Sequence, residues 1–288
     1  MDANGRMHSK DSFSSSGAAL GEQQWHALGD VQYRKWSVYA MGWEDKDREK
    51  IKLENYKVCG SPFGGPVALI REDKEKGTAL LSIYTSSGLP ISECEWQPKA
   101  IAGMGWSDQE QLVVVLEEGT VLTYDIKAKL TRSFSLLDSA SLAASAVHQA
   151  VQLLECHFWG NGLVAMAADM QAYVAEGLAS PDPTSLPRRY KLRTSLTPDR
   201  PYTSMAIIPP LLSRSGLLEL FLGTTDNSVL VADENDVEDQ LLQDRIAAPI
   251  TKMVVQPNGR YLACYRRDGV LTVMSSTFTT KVGHPTPP

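Results

Sequence analysis

The stretch Ile101–Asp125 reads IAGMGWSDQEQLVVVLEEGTVLTYD, and its punctuation decides the fold. An apolar patch ends at Trp106, SDQEQ makes a polar turn, and LVVVL (112–116) follows without a break. The turn EEG then leads into the alternating run TVLTY (120–124). A short continuous apolar run bounded by turns is the pattern of a strand buried on both faces, whereas strict alternation marks a strand in a less uniform setting. Between them Gly119 supplies the positive φ of a tight hairpin.

The same pattern returns at Ile250 as ITKMVVQPNGRYLACYRRDGVLTVM. Ile101 aligns with Ile250, Met104 with Met253, Trp106 with Val255 and LVVVL with YLACY; after a one-residue slip Gly119 meets Gly269. Intermediate copies read HFWGNGLVAMAADMQAYVA (157–175) and ELFLGTTDNSVLVAD (219–233), and GGPVALIREDKEKGTALLSIYTSSGLP (64–90) holds two strands joined by a charged loop. The copies recur roughly every 45 to 52 residues, the period of propeller blades built from four antiparallel strands. In a blade the first strand lines the central channel and the next is sandwiched between neighbouring blades, which accounts for the order of elements in the opening stretch.

Other short apolar runs fit the same grammar: Val67 to Ile70, Leu80 to Tyr84, Leu163 to Ala167, Leu217 to Leu222, Val229 to Ala232 and Val270 to Val273. Helical periodicity between strands is missing, which excludes βαβ units. The best helical candidate is the Ala-rich Leu136 to Leu154, which reads equally as an ordered insertion or loop. From Ser37 to Val282 the chain accommodates about five blades at this period. The end, VGHPTPP, shows no strand that would close a ring, so the expectation is either a small closed propeller or a larger one cut short.

The 288 residues, 43% of them hydrophobic, suffice for a large core, and the net charge of −6 argues against nucleic acid as a partner. No apolar run approaches the length that spans a bilayer. Cys59, Cys94, Cys156 and Cys264 lack metal-ligand spacing and read as reduced thiols. His157 reads as a packed strand or turn residue, GSPFGG (60–65) as a turn without the Lys-Ser/Thr of a phosphate loop, and DENDVEDQLLQD (233–244) as a solvated inter-blade loop without the Gly of a calcium loop. No catalytic, metal or cofactor constellation is expected. RRYKLR (188–193) is the dense basic cluster. Arg188, Arg189, Lys191 and Arg193 are its candidate contacts with an acidic partner or anionic lipid, against the plainer reading of a solvated loop.

LGDVQYRKWSVYAMGW (28–43), SPFGGPVALIRE (61–72), LSIYTSSGLPIS (81–92) and GMGWSDQEQLVVVLEEGTVLTYDI (103–126) together resemble the N-terminal region of the vacuolar protein sorting-associated protein sixteen family. The resemblance covers roughly 26–282 and is strongest before 136. It implies an N-terminal propeller, usually of seven blades, followed by an α-solenoid. It also implies membership in the homotypic fusion and vacuole protein sorting complex (HOPS) and the class C core vacuole/endosome tethering complex (CORVET). The implied partners are the other class C subunits, with a Sec1/Munc18-type subunit engaged through the solenoid, which this sequence lacks. The implied location is cytoplasmic, peripheral on late endosome and vacuole or lysosome membranes.

The expectation is therefore an all-β, WD40-like β-propeller with about five of seven blades, a truncated N-terminal propeller. A flexible leader (1–25), a propeller domain (26–282) and a disordered tail (283–288) make up the chain. It is read as a non-enzymatic scaffold of a tethering complex; the alternative is a generic propeller module of another multisubunit complex.

Overall fold

The computed structural model describes residues 26–33, 42–44, 53–73, 77–97, 99–137, 151–180, 182, 184–197, 199–226, 228–241, 248–278 and 281–284. A hairpin of β1 (His26–Leu28) and β2 (Val31–Tyr33) precedes five four-stranded antiparallel sheets, each an unbroken meander. Blade 1 is β3 (Lys57–Gly60), β4 (Val67–Asp73), β5 (Thr78–Tyr84) and β6 (Pro90–Trp96). Blade 2 is β7 (Ile101–Trp106), β8 (Leu112–Leu116), β9 (Thr120–Tyr124) and β10 (Leu130–Ser135). Blade 3 is β11 (Leu153–Trp159), β12 (Gly162–Ala167), β13 (Ala172–Glu176) and β14 (Arg188–Leu192). Blade 4 is β15 (Tyr202–Ile208), β16 (Glu219–Thr224), β17 (Ser228–Ala232) and β18 (Val237–Leu241). Blade 5 is β19 (Ile250–Val255), β20 (Tyr261–Arg266), β21 (Leu271–Ser275) and β22 (Lys281–His284).

The repeat is present at the level of backbone detail. The pairing of the first two strands shifts register after the first residue in β7, β11, β15 and β19, so four blades share one bulge. Gly119 (φ +90°) and Gly269 (φ +83°) both close the hairpin between second and third strands, their N–H groups donating to Leu116 O at 2.9 Å and Arg266 O at 3.1 Å.

Alternation of side chains across a strand explains why the second strands are apolar throughout. Leu112, Val114 and Leu116 pack with Ala68, Ile70, Leu81 and Ile83 of blade 1, while Val113 and Val115 pack with Leu163 and Ala165 of blade 3. Val164 and Met166 turn the other way, toward Met205, Leu220 and Leu222 of blade 4. Phe221 in turn meets Ile250, Met253 and Leu262 of blade 5. Four seams thus join five blades, and each fully buried Val, Leu or Phe contributes about 1.5–3 kcal/mol of transfer free energy.

At the seam of blades 2 and 3 the first strands β7 and β11 lie side by side. Gly105 permits that approach, since a Cβ there would sit 2.2 Å from Phe158 Cγ. Gly105→Ala is expected to destabilise the chain by about 1–3 kcal/mol in a urea titration, the usual cost of overpacking; an unchanged midpoint would contradict this seam.

Blade 1 is clamped on its outer side by Trp43, whose Nε1–H donates to Ser86 O at 2.8 Å and whose ring lies 5.2 Å from that of Tyr84. Blade 5 is different. Its face away from blade 4 leaves Tyr261 46% and Tyr265 45% exposed on β20, where β8 at the same place in blade 2 is wholly buried, and leaves Val254 of β19 54% exposed. No core cluster among the described residues joins blade 5 back to blade 1, so the molecule is a partial propeller.

Three local readings change. Leu136 and Leu137 form a bend and Leu153 and Leu154 open β11, so neither end of the helix candidate is helical; 138–150 lie outside the described residues. RRYKL is the fourth strand of blade 3 and VEDQL that of blade 4, where loops were expected: outer strands carry polar residues because solvent reaches them. Gly283 and His284, expected in the tail, belong to β22 and pair with Thr272 and Leu271. The leader 1–25 and residues 285–288 lie outside the described residues.

Candidate functional site

The basic cluster sits on β14, and strand alternation divides it. In the register of β13 and β14, Arg188 opposes Glu176, Arg189 opposes Ala175 and Lys191 opposes Tyr173. Arg188 therefore shares a face with Tyr190 and with Leu192, which packs toward blade 4; Arg189, Lys191 and Arg193 share the opposite face. Arg188 donates to Glu176 Oε2 at 3.4 Å and to Glu234 of blade 4, and stacks 4.6 Å above the Tyr190 ring. Arg189 Nη1 donates to Ser135 O of blade 2 at 2.7 Å. Lys191 Nζ stands 3.9 Å from Asp169 Oδ2 and 5.3 Å from the Tyr173 ring centre. Arg193 is exposed. The cluster is thus threaded with carboxylates, and Arg188 and Arg189 bridge blades. Arg188→Glu is expected to change the unfolding free energy by at most about 1 kcal/mol, because the guanidinium is exposed and solvent screens its pairs; a larger loss in a urea melt would show a structural role.

Tyr190 and Tyr173 donate from their hydroxyls to Glu176 Oε1 at 2.9 Å and Asp169 Oδ2 at 3.1 Å. Burial, then the neighbouring carboxylate, pushes both phenols well above their ordinary range. They act as neutral donors.

The remaining chemistry-bearing residues are dispersed. Burial holds the thiols protonated, with Cys59 pushed up to about 11, Cys156 and Cys264 to about 12, and Cys94 raised. Such thiols are poor nucleophiles. His157 lies on β11 with Nε2 3.0 Å from Glu155 Oε1, so its neighbour is a carboxylate on the same strand. GSPFGG is a turn: Gly65 N–H donates to Pro62 O at 3.3 Å, and Phe63 (φ +59°) projects fully into solvent. Among the described residues no three His, Cys, Asp or Glu side chains come close enough to hold a metal ion, and no helix is long and apolar enough to cross a membrane.

One concave feature escaped the sequence reading. Between blades 4 and 5, on the edge that carries the loops joining first to second strands, lies a cleft of about 580 Å³ lined by Ser213, Arg214, Glu219, Asn258 and Arg260. A second cleft of about 290 Å³, lined by Asp233, Asp236 and Glu238, adjoins it; both include Glu219, Ser276 and Thr277. Burial raises the Glu219 carboxyl above its ordinary value although Ser215 Oγ–H donates to it at 3.4 Å. The available signal was Arg214 in LLSRSG and Arg260 in PNGR, two arginines at corresponding loops of consecutive blades.

A solved β-propeller, the domain of Cps50 (Swd1) from Myceliophteria thermophila, superposes with a TM-score of 0.51 at 16% identity, covering 76% of this chain and 63% of that one; the likeness is one of fold. The vacuolar protein sorting-associated protein 16 homolog of Dictyostelium discoideum is 30% identical over 267 residues, 89% of this chain and 30% of that protein. Protein VACUOLELESS1 of Arabidopsis thaliana is 29% identical over 275 residues, 87% of this chain and 30% of its own length. The chain therefore spans less than a third of the length of these relatives. Residues 22–284 match the family model described as Vps16, N-terminal region. With five meander blades beneath that match, the chain belongs to the Vps16 N-terminal-region family.

Proposed function

We propose that the chain is a non-enzymatic scaffold module of a class C vacuolar protein sorting assembly of the HOPS and CORVET type, acting in membrane tethering on the way from endosome to vacuole or lysosome. The observation that carries this reading is the family match across 22–284, which runs through all five blades. The mechanism is geometric. Seams packed on both sides hold the blade edges in fixed relation, and the loops and outer strands offer surfaces to other subunits of the assembly. The thiols are dispersed and held protonated by burial, which favours binding over a reaction. Contact of Arg188, Arg189, Lys191 and Arg193 with an acidic partner or anionic lipid belongs to the same proposal, as does the peripheral location on endosomal and vacuolar membranes.

The test is affinity purification of tagged 1–288 from cell lysate with identification of what co-purifies, beside the full-length Dictyostelium discoideum relative prepared in the same way. Recovery of class C vacuolar sorting subunits is the expected result. Their absence from both preparations would overturn the assignment to a tethering complex.

A further inference from the structure

We infer that the groove between blades 4 and 5 binds an extended peptide segment of a partner protein, one carrying an acidic and a basic side chain a few residues apart. This inference rests on the scaffold reading and names one of its contact sites. The two clefts share Glu219, Ser276 and Thr277 and so form one groove, with the larger lobe inside the roughly 300–1,000 Å³ range of ligand-sized clefts.

Charge is segregated along the groove. Arg214 and Arg260 line only the larger lobe, whereas Asp233, Asp236 and Glu238 line only the smaller one, which has no Lys or Arg in its wall. Glu219 lines both lobes, so the larger lobe sets two arginines against one carboxylate while the smaller is acidic throughout. A ligand that matches both needs opposite charges held apart, and an extended peptide provides that at about 3.3 Å per residue. Arg214 and Arg260 are exposed, and Arg214 stands near enough to Glu219 for its charge to favour the ionised carboxylate there. Guanidinium groups so placed suit bidentate capture of a carboxylate.

The wall also carries Ser276, shared by both lobes, and Ser213 and Asn258 in the larger one, side chains of the kind that serve the N–H and C=O groups of an extended backbone. Leu212 and Phe278 give the groove apolar surface. The loops are held in shape beforehand: Leu212 N–H donates to Pro209 O at 2.9 Å, Gly259 N–H to Gln256 O at 2.8 Å and Ser276 N–H to Arg260 O at 2.9 Å. A pre-formed groove loses little to ordering when it binds.

The experiment is an array of decapeptides in which one Glu and one Lys are separated by one to six Ser, Ala or Val positions, in both orders, probed with purified 1–288 and followed by fluorescence anisotropy titration. Saturable binding is expected for one order over a narrow range of spacings. R214E/R260E and D236K/E238K should each weaken it by about tenfold or more, while Lys127→Glu, at an exposed turn of blade 2, leaves it unchanged. Melting curves establish that the variants fold. Binding no tighter than that of uncharged peptides, insensitivity to both double variants, or complete competition by inorganic phosphate would each overturn the inference. A blank array with subunits still co-purifying removes the groove and leaves the scaffold reading; peptide binding without co-purification does the reverse.

Discussion

Phe221→Ala is expected to lower the unfolding free energy by about 3–5 kcal/mol, the cost of deleting a fully enclosed aromatic ring and leaving a cavity. Phe221 has no exposed surface, lies with Ile250, Met253, Leu262 and Cys264, and its ring centre is 6.2 Å from that of Phe278. The seam it fills joins blade 5 to the rest, and blade 5 has its other face open. In a stack where each unit touches only its neighbours, weakening the last seam lets the last unit open first. Urea titrations followed by tryptophan fluorescence, with hydrogen exchange to locate the opening, check both parts. The exchange should accelerate in 250–278 before it does in blades 2 and 3. Val254→Ala, on the open face, should stay within about 0.5 kcal/mol of the parent. A loss below about 1 kcal/mol for Phe221→Ala would mean that the seam is not a packed core.

Raising the pH from 9 to 12 is the second perturbation with a large expected effect. Cys264 is buried, and desolvation moves its thiol from the ordinary 9.0 up to about 12; Cys156 behaves alike, and Cys59 rises to about 11. A thiol kept protonated by the fold contributes stability that is fully present below pH 9, where folded and unfolded chains are both neutral. That stability is lost as pH climbs toward the folded value, because only the unfolded chain ionises. For Cys264 the loss reaches about 4 kcal/mol at the top of the window. The half-buried Cys156 and Cys59 add smaller amounts, and Tyr202, pushed up to about 12 by burial, adds in the same direction. Urea midpoints measured from pH 8 to pH 11.5 should fall steadily above pH 9, and Cys264→Ala should flatten the slope. A stability profile level across that range would refute the burial of these groups.

The second strands were readable because they are sandwiched. LVVVL, GLVAMA and ELFLGT each send alternate side chains into two different seams, so solvent never interrupts the apolar run. The hairpin glycines were readable for a local reason as well, since Gly119 and Gly269 take positive φ that other residues disfavour. The outer strands were not. β6, PISECEW, alternates exposed and half-buried residues; RRYKL and VEDQL each hold only two apolar or aromatic residues among charges, too few to mark a strand. They are held by ladder hydrogen bonds to the third strand, a backbone force to which side-chain pattern is blind. β11 was obscured because its Leu153 and Leu154 end an Ala-rich stretch that mimics a helix.

The basic cluster shows the limit on the functional side. Four cations within six residues look like one patch, but alternation along β14 turns Arg188 away from Arg189, Lys191 and Arg193, and each face has its own carboxylates, Glu176 and Glu234 on Arg188 and Asp169 on Lys191. Conversely, the groove of Arg214, Arg260, Asp236 and Glu238 has no local signature, since its walls come from four loops and the adjoining strand ends of two blades.

The sequence by itself determined the repeat, the blade type and the family, because these depend on which residues are apolar and how far apart they recur. Tertiary structure alone decided how the ladder hydrogen bonds place the polar outer strands. It also decided which charges meet across a seam and that the last blade keeps one face open. These depend on contacts between residues tens of positions apart, and a pattern read along the chain does not contain them.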